Sequence, residues 1–212
     1  PVASRRRTET DDRNTRMPDE VLHKFTRTVP HWRPRVKPVD LKEATEAQLA
    51  ALQVTPSNTK VSDYVLVLAH DVESLAVRSP LFNAIMYDEG GLSRAERELG
   101  ALGASIVNHC INCAAVHAAR HAQLESSTDV TDALFAKGAE ADLSPRDRAI
   151  FDFARKRSAS PPKADASDMT ALRDAGLDET EILDLILSTA LFGWANRLMH
   201  VLGDPVRRSE VA

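Results

Sequence analysis

The sequence has few of the residues from which stapled or sheet-based domains are built. Two cysteines among 212 residues are too few for the disulfide framework of a small secreted domain. Glycine, with eight residues, and the aromatic residues, at 5%, are also scarce. The apolar residues are mostly Ala, Leu, Val and Ile within charged segments. This pattern is typical of packed amphipathic helices, so we expect an all-α fold.

Long apolar runs and an excess of either charge are absent as well. No apolar stretch reaches the ~20 residues of a membrane-spanning helix, and the first residues are charged where a signal peptide needs an apolar region. A formal net charge of −4 gives no electrostatic reason to expect a nucleic acid or an anionic membrane as a partner. We therefore expect a cytoplasmic protein with no nucleic-acid and no membrane partner.

Composition divides the chain near residue 40. Residues 1–39 begin with a polar stretch without apolar period and continue with several prolines, which predicts a disordered tail and then an extended Pro-rich arm. The arm either embraces a neighbouring subunit or is a passive tail. Residues 40–212 show helical apolar spacing in successive segments and are expected to form one helical domain. Its last segment, ILDLILSTALFGWANRLMHVL, is apolar on nearly all sides, which predicts a place in the core or in a subunit interface.

Capping signals predict the helices in the middle of the chain. Ser93 and Glu96 have the spacing of a capping box, which predicts a helix that ends near Val107. Asn108 is the expected N-cap of a second helix, which contains CINCAAVHAARHAQLE. Cap residues, prolines and glycines predict further helix boundaries at Asp71, Pro80, Gly138, Ser144, Gly176 and Asp178.

The two cysteines stand three residues apart on the second of these helices. Positions i and i+3 lie ~60° apart around a helix, so Cys110 and Cys113 share a face, within the ~4.4 to 6.8 Å between Cα atoms that a disulfide spans. His117 follows one turn after Cys113 on the same side, where its imidazole can take or return a thiol proton. A helix N-terminus and a nearby imidazolium lower the pKa of a thiol from its usual ~8.5. The spacing therefore predicts a local redox-active dithiol served by a histidine.

The same spacing leaves two other interpretations open. Two small apolar cysteines can pack in a helical core without any chemistry. A zinc site can be built from Cys110, Cys113, His117 and one of His109 or His121. Residues on one helix approach a metal from one side, however, and no second Cys-x-x-Cys or His-x-x-x-His lies elsewhere to complete a tetrahedron. We therefore expect no bound metal.

Three segments together carry a family resemblance. They are LSRAERELGALGASIVNHCINCAAVHAARHA, LSPRDRAIFDFA and LRDAGLDETEILDLILSTALFGWANRL. Over roughly residues 60–205 they resemble the peroxidase-related branch of the alkylhydroperoxidase AhpD and carboxymuconolactone decarboxylase superfamily. The resemblance implies an all-α, AhpD-like domain that assembles as a homo-oligomer, either a trimer or a hexamer. The family's site includes a Glu twelve residues before the first Cys, and here that residue is Glu98.

The resemblance also implies a role for each of these residues. Cys113 is the thiolate that attacks an organic hydroperoxide or the disulfide of a partner protein, and Cys110 is its resolving partner and proton donor. His117 and Glu98 form a water-bridged proton relay. The function implied is an antioxidant one, that of a thiol-dependent alkyl hydroperoxide reductase or disulfide oxidoreductase. It needs no bound cofactor, but an external thiol or dithiol reductant must reopen the disulfide.

One departure from the family pattern and two alternative functions remain. Asn112 stands where founding AhpD members carry a His between the cysteines, which leaves the reductant open. The first alternative is a lyase acting on a lactone acid, as in the decarboxylase half of the superfamily, which generally lacks the cysteine pair. The second is a non-enzymatic redox sensor, in which the disulfide changes the assembly of the protein.

Overall fold

Packed helices form most of the structure, which confirms the predicted all-α class. The computed structural model describes residues 19–56 and 60–207. The tail predicted for the start of the chain falls mainly on residues outside this part. In chain order, the described helices are α1 Glu46–Ala51, α2 Asp63–Leu68, α3 Val72–Tyr87, α4 Arg94–Val107, α5 Ile111–Glu125, α6 Asp129–Lys137, α7 Pro145–Ser158, α8 Ala166–Asp174 and α9 Glu179–Leu202.

Helix α4 lies at the centre of the bundle because small residues on its surface let its neighbours come close. Helices α5, α7 and α9 pack around it. A Cβ atom added at Gly100 would lie 2.8 Å from the side chain of Leu185 on α9. One added at Gly103 would lie 2.9 Å from the Cβ of Ala154 on α7. Any larger residue at these positions would force the helices apart, so the short side chains set the distance between α4 and its neighbours.

Three short strands join the two ends of the described chain. They are β1 Glu20–Val21, β2 His31–Pro34 and β3 Gly203–Arg207, and the antiparallel sheet has the order β1-β3-β2. Trp32 pairs with Pro205 in this register. The sequence predicts an extended arm here but not its strands, because strands this short form only where a distant segment supplies the partner. The described part of the arm therefore lies against its own chain.

Several predicted helix boundaries are confirmed and two are wrong. The capping box of Ser93 and Glu96 begins α4, Ser144 caps α7 and Asp178 caps α9. Pro80 does not end a helix but lies inside α3, whose apolar side packs on the bundle and holds the helix together across the missing N–H. Asn108 is not the N-cap of α5 but the C-cap of α4.

Helix α9 is long and apolar enough to cross a membrane by length and composition alone. The sequence predicts no membrane-spanning stretch, although it does predict that this segment is apolar on nearly all sides. A core helix passes the same test, and α9 packs against α3, α4 and α7 in the bundle. Its buried residues include Leu185, Phe192 and Met199. These contacts make α9 a core helix of the described fold.

Candidate dithiol active site

The turn between α4 and α5 places the cysteines at a helix N-terminus. The N–H of His109 donates to the carbonyl of Ile106, and the N–H of Cys110 donates to the carbonyl of Ser105. His109 has a φ of 56°, so these bonds form a Schellman motif with a non-glycine residue in the left-handed position. Cys110 completes this motif and is also the N-cap of α5. Asn108 therefore cannot be the N-cap, since it still belongs to α4.

The two thiols are free, buried and in direct contact. Their Sγ atoms are 2.7 Å apart, and the residues are only 3% and 6% exposed. They pack in an apolar cluster with Trp32, Val67 and Met199. Because the cysteines stand at the N-cap and the third position of α5, a local disulfide can form without unwinding the helix. The predicted shared face is thus present, two residues nearer the start of the helix than the prediction assumed.

The contact between the sulfurs moves their pKa values apart. The pKa of Cys110 lies below the ordinary thiol value, chiefly because the thiol of Cys113 donates a hydrogen bond to it and the backbone N–H of Cys113 adds a second. The pKa of Cys113 lies well above that value, because its hydrogen bond to Cys110, its burial and the charge on Cys110 oppose a second anion. In the resting dithiol the first negative charge therefore lies on Cys110. The family resemblance places the attacking thiolate on Cys113 instead.

Glu98 and His117 form a direct pair across the interface of α4 and α5. Nδ1 of His117 lies 2.5 Å from Oε2 of Glu98, and both side chains are buried. Arg94 donates to the other oxygen of Glu98 and stacks over the ring of Tyr87 at 4.0 Å. With Nδ1–H donating to Glu98, Nε2 is the nitrogen left to act as a base. The structure therefore brings Glu98 and His117 together, in direct contact where the resemblance implies a bridging water.

Helix α9 supplies two further side chains to this region. Phe192 packs edge-on against the ring of His117, with 4.0 Å between the ring centroids. Asn196 is fully buried, donates to the hydroxyl of Ser105 and accepts from Asn108. A hydrogen bond from Asn196 also opposes the rise in the pKa of Cys113. Asn196 thus ties α9 to the turn that carries the dithiol.

The two cysteines line different cavities. Cys113 lines the larger one, of about 490 Å³, together with Glu98 and His117. Cys110 lines a smaller one of about 170 Å³ on the side of the three-stranded sheet. Trp32 lines both cavities and stands between them. A small organic molecule fits the larger cavity, so it has access to Cys113 and not to Cys110.

The four residues proposed from the sequence all lie in this site, and several others were missed. Arg94 lies one turn before Glu98 on α4, and the i,i+4 spacing of these opposite charges is a local signal. Trp32, Phe192 and Asn196 reach the site from distant segments, and no local motif marks any of them. Among these three residues, Trp32 comes closest to having a sequence signal, because it is one of two tryptophans and lies in an arm otherwise rich in charge and proline. Within residues 19–56 and 60–207, no group of three or more His, Cys, Asp or Glu side chains is arranged to hold a metal ion.

Fold and site together define a class of protein, a helical domain with a Cys-x-x-Cys dithiol beside a Glu–His pair. The model of the carboxymuconolactone decarboxylase family matches residues 73–156, which contain all four of these residues. This match and the solved structures below support the superfamily of alkylhydroperoxidase AhpD and carboxymuconolactone decarboxylase for this chain. Members of this superfamily are typically enzymes. No curated protein matches the chain at a significant level.

Solved structures of similar proteins agree with this family. An uncharacterised peroxidase-related protein from Ralstonia eutropha JMP134, described as an alkylhydroperoxidase AhpD core, is 27% identical with a TM-score of 0.70. The match covers 85% of this chain and 94% of that chain. A peroxidase-related protein from Silicibacter sp. TM1040 is 25% identical with a TM-score of 0.62, over 77% of this chain and 93% of that chain. Both proteins are described as peroxidase-related, and the first also as an AhpD core.

A third solved structure shares the fold but has a different activity. The debrominase Bmp8 is 16% identical to this chain, with a TM-score of 0.66. The match covers 79% of this chain and 89% of that chain. At this identity the likeness supports the fold alone.

Proposed function

We propose that this protein is a thiol-dependent peroxidase that reduces organic hydroperoxides, or the disulfide of a partner protein, with its own dithiol. One observation carries the proposal. The sulfurs of Cys110 and Cys113 touch at the N-terminus of α5, and Cys113 shares a cavity with the Glu98–His117 pair. A structural cysteine pair in a core has no need of a buried Glu–His pair or of a cavity at one sulfur.

The dithiol supplies both electrons that the reaction needs. Because the sulfurs are in contact, Cys113 passes its proton to the thiolate of Cys110 as it attacks one oxygen of the hydroperoxide. The O–O bond breaks, an alcohol leaves, and Cys113 becomes a sulfenic acid. Cys110 then attacks the sulfur of Cys113, which forms the disulfide and releases water. The balance is one hydroperoxide and two thiols converted into one alcohol, one water and one disulfide.

The Glu98–His117 pair moves protons in this scheme. Glu98 accepts from Nδ1–H and fixes the ring, so Nε2 exchanges protons with the thiols or the departing alkoxide, directly or through water. The leaving oxygen receives its proton from this side of the cavity. An external thiol or dithiol must then reduce the disulfide, and the cytoplasm, where such reductants are plentiful, is the location we propose.

Substitution of the attacking sulfur tests the proposal. Cys113→Ser is expected to abolish the turnover of cumene hydroperoxide with a dithiol reductant, measured as consumption of the hydroperoxide. Cys110→Ser is the matched control, because it retains the attacking sulfur and loses only the resolving one. The Cys110→Ser protein is expected to react once with the hydroperoxide and to stop with Cys113 as a sulfenic acid, which a dimedone-type reagent traps. Unchanged turnover in Cys113→Ser would refute the proposed peroxidase function.

The family match supports a second candidate, a lyase that decarboxylates a lactone acid. A lyase has no need of the dithiol, so decarboxylation that survives the loss of both cysteines would favour it. A redox sensor makes a third prediction, a large change in assembly on oxidation without peroxidase turnover. Measurement of the molar mass of the oxidised and the reduced protein separates the sensor from the enzyme.

A further inference from the structure

The larger cavity contains an arginine that has no anionic partner among residues 19–56 and 60–207. Arg78 on α3 lines this cavity, and its guanidinium carbon lies 4.3 Å from the ring centroid of Phe82 and 6.0 Å from that of Tyr64. Its Nε is enclosed and donates to no atom of the described residues. The guanidinium forms no ion pair there either, and its contacts are with aromatic faces. A cation thus lies at the cavity wall, and no described residue provides its counter-ion.

An unpaired guanidinium in such surroundings is costly, and other arginines of the bundle avoid that cost. Arg94 pairs with Glu98, Arg97 with Asp184 and Arg146 with Glu96. Burial lowers the pKa of Arg78, which shows that its charge has lost much of its water. Buried charges in proteins are as a rule paired or bind a ligand. Stacking on aromatic rings offsets part of the cost and leaves the enclosed Nε–H of Arg78 without an acceptor among the described residues.

Next to this arginine, Tyr64 is a second donor for which the described part of the chain supplies no acceptor. Its hydroxyl is enclosed and bonded to no described residue, although Tyr64 lines the same cavity. Burial raises the pKa of Tyr64 far above its ordinary value, so the hydroxyl keeps its proton and remains a donor at neutral pH. Tyr64 packs against the apolar cluster that contains Cys110 and Cys113, and the guanidinium of Arg78 lies beside its ring, so Tyr64 contacts the surroundings of both. A buried donor without an acceptor is unfavourable, and a bound oxygen atom would relieve it.

The rest of the cavity is mainly apolar with an excess of positive charge. Its acidic lining residues are Asp63 and Glu98, and Glu98 is already bonded to Arg94 and His117. The other charged groups of the lining are positive: Lys60, Arg78, Arg94 and Arg120. Phe82, Met86 and Phe192 form part of the apolar wall. This combination suits an apolar molecule that carries one negative group.

We infer that the substrates of this site are apolar organic hydroperoxides that carry a carboxylate. Arg78 binds the carboxylate through its guanidinium, with Tyr64 as a second donor, while the hydroperoxide reaches the sulfur of Cys113. The identity of the reacting group rests on the proposed peroxidase function. The carboxylate subsite itself rests only on Arg78, Tyr64 and the cavity between them and the dithiol.

A matched pair of substrates tests the charge preference. Cumene hydroperoxide and its para-carboxylate have the same body and the same reacting group, and differ in one negative charge. We expect the intact protein to have a lower KM for the carboxylate. Arg78→Met is expected to raise that KM about 10- to 100-fold and to change the KM for cumene hydroperoxide less than 3-fold. Arg78→Lys should restore part of the difference in KM between the two substrates. Equal effects of Arg78→Met on both substrates would overturn the inference.

A binding measurement makes the test independent of turnover. Calorimetry would compare para-isopropylbenzoate with the neutral para-isopropylbenzyl alcohol on the intact protein, on Arg78→Met and on Tyr64→Phe. Only the affinity for the benzoate should fall, most in Arg78→Met and about 3- to 10-fold in Tyr64→Phe. The charge-matched control is Arg173→Met, since Arg173 is half exposed in an ion pair with Glu179 outside the cavity.

The outcomes separate this inference from the proposed function. Benzoate binding that depends on Arg78, in a protein without peroxidase turnover, would support the subsite and refute the peroxidase. Turnover with no preference for the carboxylate would support the peroxidase and refute the subsite. Equal loss of benzoate affinity in Arg173→Met and Arg78→Met would show an effect of net charge and overturn the subsite. Near-ultraviolet circular dichroism of each variant checks the fold, and a loss of benzoate affinity in Tyr64→Phe supports the subsite should Arg78→Met not fold.

Discussion

At the scale of single residues, Cys110 and Cys113 differ although they share one turn of α5. Cys110 accepts hydrogen bonds from Cys113, whereas burial and the neighbouring charge disfavour ionisation of Cys113. In the reduced protein we expect two thiolate titrations, one below the free-thiol value of ~8.5 and one above it. The titration at lower pH removes the first proton from the pair of thiols and leaves the negative charge on Cys110. Absorbance of the thiolate at 240 nm, followed against pH, measures both.

Alanine variants assign these titrations to the two sulfurs. Cys113→Ala removes the thiol donor, so the pKa of Cys110 should rise. Cys110→Ala removes the neighbouring charge, so the pKa of Cys113 should fall. A single unshifted titration in both variants and in the wild type would contradict the coupling between the sulfurs.

Glu98 is a positioning residue, because it acts on the reaction through His117. Glu98→Gln leaves an amide that can present either an acceptor or a donor to Nδ1, so it no longer fixes the ring in one tautomer. We expect kcat/KM for a hydroperoxide to fall roughly 10- to 100-fold, in the range found for residues that orient a reactive group. The pH profile of kcat/KM should also change its shape, which a loss of stability alone would not produce.

The matched control for this prediction lies two residues away on the same helix. Glu96 bonds to Arg146 and to the N–H of Ser93, and it does not line the cavity of Cys113. Burial raises the pKa of Glu96, but the bonds from Arg146 and Ser93 lower it by more. Its charge therefore stabilises the fold above the unfolded pKa, and this stability is lost as the pH falls through the lower folded pKa. Glu96→Gln should lower the stability at neutral pH and leave kcat/KM within about 2-fold. Equal losses of activity in Glu98→Gln and Glu96→Gln would refute the positioning role of Glu98.

At the scale of elements, the contact between β2 and β3 depends on a glycine. Gly203 begins β3, and a Cβ atom added there would overlap the ring of Trp32 and lie 2.7 Å from the carbonyl oxygen of Arg33. The backbone of Gly203 is extended, so the restriction comes from this close approach and not from its dihedral angles. Gly203→Ala should lower the free energy of unfolding by about 1 to 3 kcal/mol, as overpacking does. Urea denaturation measures the change.

A second glycine, near the same end of α9, provides the control. A Cβ atom added at Gly193 would meet only the end of the Arg197 side chain, at 3.8 Å. Gly193→Ala should therefore raise the free energy of unfolding by about 0.5 to 1 kcal/mol, because it removes a flexible residue from a helix. Because Trp32 also borders both cavities, Gly203→Ala should lower peroxidase turnover and Gly193→Ala should not. The opposite order of stabilities would refute the role given to the strand contact.

At the scale of the whole molecule, α9 carries an apolar stripe on the side that faces away from the core. Leu183, Leu187, Trp194 and Val201 recur every four or seven residues and are 53%, 40%, 45% and 71% exposed. Residues at this spacing lie along one line of a helix. An exposed apolar stripe on a core helix is typical of an interface between subunits. We therefore retain the proposal of a homo-oligomer, a trimer or a hexamer, and place its contact on this stripe.

A charge in the stripe tests the assembly. Trp194→Glu should reduce the molar mass in light scattering from that of an oligomer to that of a monomer, because the interface would have to bury an unpaired carboxylate. Leu41→Glu is the control, since Leu41 is 49% exposed and lies before α1, away from α9. A monomeric wild type, or an oligomer that is unaffected by Trp194→Glu, would rule out this interface.

The sequence by itself determined the features that depend on near neighbours in the chain. Helical periodicity gave the all-α class, and the cap residues Ser93, Ser144 and Asp178 gave the starts of three helices. The spacing of Cys110, Cys113 and His117 gave one helical face. These features follow from bonded geometry within one or two turns, where a residue's position in the chain fixes its position in space.

Only the tertiary structure decided which distant residues meet. His109 takes the left-handed position that usually marks a glycine, which moved the start of α5 from Asn108 to Cys110. Trp32 reaches the dithiol from the arm because β3 pairs with β2, and Arg78 lines the cavity because α3 packs against α4 and α9. No local signal fixes such contacts, since they depend on how whole elements pack. The dithiol could be read from its spacing, while its surroundings, and with them its substrate, were set by the fold.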